Sequence, residues 1–172
     1  MLSNFDLEDI SKTYNVPLVS VCMKDELPNK VVNGNYIINL ESSTAGQGTH
    51  WCSLIIKNDD AYFQDSFGAP PSQEIINFIK KRKGCKLAFN NFIIQDLKSD
   101  FCGYYCIALL IYMKKHLTNS KSLIDVANNF VNGFFDDTKE NNEILKSFFI
   151  ENTNGTLIPL IKRMLRFKKF YL

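Results

Sequence analysis

The sequence contains no run of about 18 apolar residues, so no membrane-spanning helix is expected. Its first nine residues, Met1 to Asp9, are polar and acidic, without the basic start and apolar stretch of a secretory signal. The chain is therefore expected to work in the cytosol or nucleus, or inside a particle assembled there. The cysteines are five in number (Cys22, Cys52, Cys85, Cys102, Cys106), and an odd count without an export signal argues against a disulfide framework. There is no Cys-x-x-Cys pair, no P-loop, and Gly46-x-Gly48 lacks the third glycine of a dinucleotide fingerprint. Histidine is scarce: only His50 and His116 are available to any Cys–His chemistry.

What remains is a foldable chain. Apolar residues make up 45% and charged residues 22%, which excludes intrinsic disorder. At 172 residues one domain is expected, with a catalytic core over about 1–116 and helices over about 117–172. The net charge of +2 names no partner by itself. Its distribution is uneven, however. No acidic residue follows Glu151, whereas Lys162, Arg163, Arg166, Lys168 and Lys169 crowd the end, and Lys80 to Lys83 form a second basic run. Such runs are solvated helix faces more often than nucleic-acid contacts, and the basic C-terminal segment is a candidate place for nucleic acid to bind.

Hydrophobic periodicity predicts a first helix over Asn4–Tyr14 with Ser3 as its cap, and a strand over Val16–Met23. A short β-rich run follows at Tyr36–Leu40. Strands at Trp51–Lys57 and Ala61–Phe67 flank Asn58-Asp59-Asp60 as a hairpin. Pro70 and Pro71 open a helix over Ser72–Lys83 whose inner stripe is Ile75, Ile76 and Ile79, with Gly84 beyond it. Lys86–Ile94 reads as a last strand. Cys102–His116 is nearly all apolar through Met113 and should be a buried central helix. Further helices are expected around Ser122–Asn132, Glu140–Glu151 and Leu157–Lys169. The order predicts an α+β fold with a mainly antiparallel central sheet flanked by helices.

Two positions carry candidate chemistry. His50 ends a glycine-containing loop and begins a strand. If Asn58-Asp59 is a two-residue turn, His50 faces Phe67 and Asp65 is its same-face diagonal neighbour; a three-residue turn flips that parity. A carboxylate there would fix the imidazole tautomer and stabilise the imidazolium. Cys102 stands at the first turn of the apolar helix, where free N–H groups and the helix dipole favour a thiolate and a developing oxyanion. Gly103 beside it leaves room for a substrate backbone. Cys106, one turn on, reads as inert core. Gln95 ends a strand seven residues before Cys102 and offers an amide donor to the same oxyanion.

Gly48-Thr49-His50-Trp51, Phe63-Gln64-Asp65-Ser66-Phe67-Gly68, Gln95 and Asp100-Phe101-Cys102-Gly103-Tyr104-Tyr105-Cys106 together resemble the adenovirus-type cysteine proteases, relatives of the Ulp1-like SUMO peptidases. The order His, acid, Gln, Cys matches that clan and reverses papain's. Met23-Lys24-Asp25-Glu26-Leu27-Pro28 and Tyr36-Ile37-Ile38-Asn39-Leu40 resemble the versions found in virophages and Polinton-type elements. The resemblance implies a Ulp1/adenain-like fold, a Cys102 nucleophile, a His50 general base and acid, an Asp65 orienting acid and a Gln95 oxyanion donor. It also implies substrate contacts at Gly48, Trp51 and Gly103, since in the SUMO branch such aromatics line a tunnel for a Gly-Gly tail. The implied activity is endoproteolysis of viral capsid or core precursor proteins beside glycine-type residues, by a monomer in the virion and host cytoplasm with no membrane partner. No cofactor is implied as resident. The adenoviral enzyme is activated by DNA and by a disulfide-attached viral peptide; Cys85 and Cys106 are the neighbouring cysteines here. Two other readings are a SUMO- or ubiquitin-like deconjugating peptidase with the same site, and a Cys/His metal-binding module built on His50, Cys52, Cys102 and Cys106.

Overall fold

The computed structural model describes residues 1–46, 48–152, 159 and 161–162. Its elements run α1 (Asn4–Thr13), β1 (Leu18–Met23), β2 (Gly34–Asn39), β3 (Trp51–Lys57), β4 (Asp60–Gln64), α2 (Gln73–Lys80), β5 (Lys86–Phe89), α3 (Cys102–His116), α4 (Leu123–Val131) and α5 (Asn141–Glu151). Ser3 caps α1 through a reciprocal capping box with Asp6. The helix expected over Leu157–Lys169 lies almost wholly outside the described residues, and of the C-terminal basic cluster only Lys162 lies within them. No helix among the described residues is long and apolar enough to cross a membrane.

The five strands form one sheet in the order β1-β2-β3-β4-β5. The expectation of a mainly antiparallel sheet is corrected. β2, β3 and β4 pair antiparallel, but both edge strands pair parallel, β1 with β2 and β5 with β4. The cause is connectivity. A hairpin joins β3 to β4, whereas α2 carries the chain back to the starting end before β5, as a parallel crossover requires. The last strand is also shorter than its apolar pattern predicts and stops at Phe89.

Both faces of the sheet are covered. One packs Ile37, Trp51, Ile55 and Tyr62 against α1 and the helices after the sheet, with α3 at the centre. The other packs Tyr36, Ile38, Leu54, Ile56 and Phe63 against α2. That is why β3 is buried at six of seven positions and reads as a continuous apolar run. The buried stripe of α2 is Ile75, Phe78 and Ile79; Phe78 takes the place expected for Ile76 and meets the ring of Tyr36 edge-on at 5.6 Å. α3 is buried from Cys102 through Ile111 and again at Met113.

Candidate active site

Asn58 and Asp59 form a two-residue turn, with Asn58 in the left-handed conformation that asparagine tolerates (φ 55°), so that Lys57 pairs with Asp60 and Ser53 with Gln64. Continued past the ends of β3 and β4, this register sets His50 against Phe67, and the two rings stack with centroids 4.5 Å apart. Asp65 is the diagonal neighbour, and its Oδ1 lies 2.6 Å from His50 Nε2. The same carboxylate oxygen accepts the Phe67 N–H at 2.8 Å. Asp65 is only 1% exposed, so both bonds act where water competes little.

Asn90, which the sequence reading did not single out, and Gly68, the last residue of the Asp65 motif, hold this carboxylate in place. Asn90 accepts the Asp65 N–H at 3.0 Å and donates to the Asp65 carbonyl at 2.6 Å, extending β4 past its end with a side chain. Gly68 closes the turn by donating its N–H to the Asp65 carbonyl at 2.9 Å. Its φ is +70°, and a Cβ there would fall 2.6 Å from the Phe92 backbone. Nothing local marks Asn90, whose partner is 25 positions away.

The loop before His50 is tied from within. Asn39 Oδ1 accepts the N–H groups of Glu41 at 3.0 Å and Thr49 at 3.1 Å, and Glu41 Oε2 accepts the Gly48 N–H at 2.8 Å. Gly48 has φ +100°, and a Cβ on it would meet Asn39 Nδ2 at 2.4 Å. Gly48, expected to touch substrate, is thus closely packed against Asn39 within its own loop.

Cys102 is the first residue of α3 and is 2% exposed. Phe101 at the N-cap contributes no side-chain capping bond, and the first turn holds no acidic residue. The Cys102 side chain lies near enough to His50 to bear on its protonation. Burial alone would pull the imidazole pKa down. The interactions with Asp65 and Cys102, with their charges, outweigh it and raise the value to about 9. The other two buried thiols are Cys106 and Cys52. Cys106 is raised well above the ordinary thiol value by burial and then by the charge of Cys102. Cys52 is raised by burial and then by Asp65. Among the described residues one group offers a metal-type donor set: His50, Cys52 and Asp65, with ligand atoms within 4.8 Å of one another. Nitrogen, sulfur and oxygen donors of this kind suit zinc, but the His50 ring and the Asp65 carboxylate of this set already bond each other. Cys102 and Cys106 are not part of it.

Gln95 is 1% exposed. Its Oε1 accepts from Ser66 Oγ at 2.6 Å and its Nε2 donates to the Ser99 carbonyl at 2.8 Å. Trp51 and Gly103, expected at the substrate, both pack against the N-terminal segment. Trp51 is 4% exposed and donates its indole N–H to the Leu2 carbonyl at 2.8 Å. A Cβ on Gly103 would meet Leu7 Cδ2 at 3.1 Å and Leu2 Cδ1 at 3.2 Å. Leu2 wedges between the strand that follows His50 and the helix that Cys102 begins. The Met1 ammonium reinforces this with an ion pair to Asp100 at 2.6 Å.

No protein-family model matches the chain, and no curated protein matches it. Among solved structures it is similar to the ASFV pS273R protease, in its selenomethionine crystal form, at 16% identity and a TM-score of 0.38. The match covers 59% of this chain and 44% of that one, less than half of that protein's length. The functional reading therefore rests on the geometry of the site and on its motifs.

Proposed function

We propose that the chain is a cysteine endopeptidase with a Ulp1/adenain-like fold that processes capsid or other virion precursor proteins during particle maturation, cutting beside small, glycine-type residues. One observation carries this reading: the His50 ring, whose Nε2 is 2.6 Å from a buried carboxylate, has its protonation tied also to the neighbouring thiol that opens a buried helix. His50 takes the Cys102 proton and holds it as an imidazolium stabilised by Asp65. The thiolate attacks the scissile carbonyl carbon, and the carbonyl π electrons move to oxygen. That oxygen is held by the Cys102 N–H and the Gln95 amide. The tetrahedral adduct collapses, the C–N bond breaks and His50 protonates the leaving amine. Water then loses a proton to His50, attacks the thioester and releases Cys102. The motif order His50, Asp65, Gln95, Cys102 supports the same assignment.

The test is digestion of a proteome-derived peptide library, with mass mapping of new termini. Cuts beside small residues are expected from the native protein and from Cys106→Ser, and none from Cys102→Ser. Cuts that persist in Cys102→Ser would overturn the proposal. Selective trimming of a ubiquitin-like precursor after a Gly-Gly tail, with the library left intact, would replace maturation by deconjugation.

A further inference from the structure

Asp65, which orients the base, is followed directly by Ser66, whose side chain belongs to a different partner. Ser66 is 1% exposed, and its hydroxyl donates to Gln95 Oε1 at 2.6 Å. Its carbonyl accepts the N–H groups of Ile94 at 2.9 Å and Gln95 at 3.0 Å. At the other end of the amide, Gln95 Nε2 donates to the carbonyl of Ser99, three residues before Cys102. The segment is fixed further along, where the Ile94 carbonyl accepts from Tyr105 Oη at 3.1 Å and Asn141 Nδ2 at 2.9 Å.

From this geometry we infer that Ser66 is a positioning residue for the oxyanion site: its hydroxyl locks the plane of the Gln95 amide so that the second Nε2 hydrogen is held in one direction. The inference rests on the peptidase reading and deepens it. A glutamine amide turns about a broad, nearly two-fold torsion, so packing alone leaves its plane loosely set. Nε2 carries two hydrogens; the Ser99 carbonyl takes one, and where the other points depends on that plane. Ser99 fixes which end is nitrogen, because a carbonyl only accepts. Ser66 supplies the second anchor, on Oε1. Without the hydroxyl, Oε1 is a buried acceptor with its side-chain donor gone, and the amide turns to find another. One dipeptide, Asp65-Ser66, thus aligns both the base and the oxyanion donor.

The test compares two reactions of the Cys102 thiol. Acylation by p-nitrophenyl acetate passes through a tetrahedral oxyanion; alkylation by iodoacetamide displaces iodide and forms none. Ser66→Ala should slow acylation about tenfold, a part of the 10²–10³ that loss of a whole donor costs, while alkylation stays within about twofold of the native rate. In a Gln95→Ala background the same change should slow acylation no further. Ser66→Cys, close in size and a weaker donor, should fall between, and it serves for the comparison if Ser66→Ala does not give a native thermal melt. Equal slowing of both reactions, or an undiminished effect without Gln95, would assign Ser66 a merely structural role and overturn the inference. So would an unchanged acylation rate in a Ser66→Ala protein whose acyl group maps to Cys102. If Cys102→Ala releases p-nitrophenol as fast as the native protein, the peptidase reading itself falls, and this inference with it.

Discussion

Asp65→Asn removes one negative charge from a site 1% exposed, at an atom 2.6 Å from His50 Nε2, while leaving an oxygen to accept the Phe67 N–H. His50 titrates at about 9 against an ordinary 6.5, and its side chain is only 12% exposed, so solvent screens the interaction weakly. The difference corresponds to roughly 3 kcal/mol of preference for the imidazolium in the folded protein. Because the folded value lies above the unfolded one, this stabilisation is complete below about pH 6.5 and is lost as pH rises through about 9. In Asp65→Asn, burial remains to lower the value and only Cys102 remains to raise it, so His50 should titrate near or below its ordinary range. Urea denaturation at about pH 6 should show the variant less stable by roughly 2–3 kcal/mol, with the gap closing as pH passes about 9. Imidazole NMR signals give the two titrations directly. A native His50 that titrates near its ordinary value, together with a stability gap that does not vary with pH, would refute the assignment of Asp65 as its charge partner.

Gln95→Ala should lower kcat by about 10²–10³ with KM little changed, read by steady-state hydrolysis of a peptide identified in the library digest; a kcat within about threefold of native would remove Gln95 from the site. Gly68→Ala places a Cβ 2.6 Å from the Phe92 backbone at φ +70°. It should destabilise by about 1–3 kcal/mol and lower the His50 titration, since the turn it closes holds Asp65; a native melt and titration would show that the turn adapts.

The pairing of His50 with Asp65 is legible in sequence because it depends on a period of two and one turn length, both local. Given two turn residues, Asn58 and Asp59, the parity of every later position follows. The helix that Cys102 begins is legible for a similar reason: a long apolar run bounded by polar residues has few other homes. What escaped was long-range. Trp51 and Gly103 share Leu2 as a packing partner, and the Trp51–Leu2 bond spans 49 positions. Ser66 and Asn90 bond partners 29 and 25 positions away, so the motif that contains Ser66 does not show its role and no local pattern marks Asn90. The direction of the edge strands depends on which connection crosses over, and strand propensity carries no such information.

The β3–β4 hairpin behaves as a pair of calipers. His50 lies seven residues before Lys57, and Asp65 five after its partner Asp60, so the jaws meet only while both arms keep their length. A residue gained or lost within either arm rotates one jaw to the opposite face, which forbids length variation along both strands. The pivot is free of that rule. Residues added between Asn58 and Asp59 leave Lys57 opposite Asp60 and the count along each arm intact, at the local cost of the Asn58 bond to Asn33 and the Asp59 bond to Lys86. At about 3.4 Å per residue the pivot sits roughly 24 Å from His50. A lineage can drift in length there, and an experimenter can graft a fluorophore-bearing loop there, without touching the chemistry at the other end.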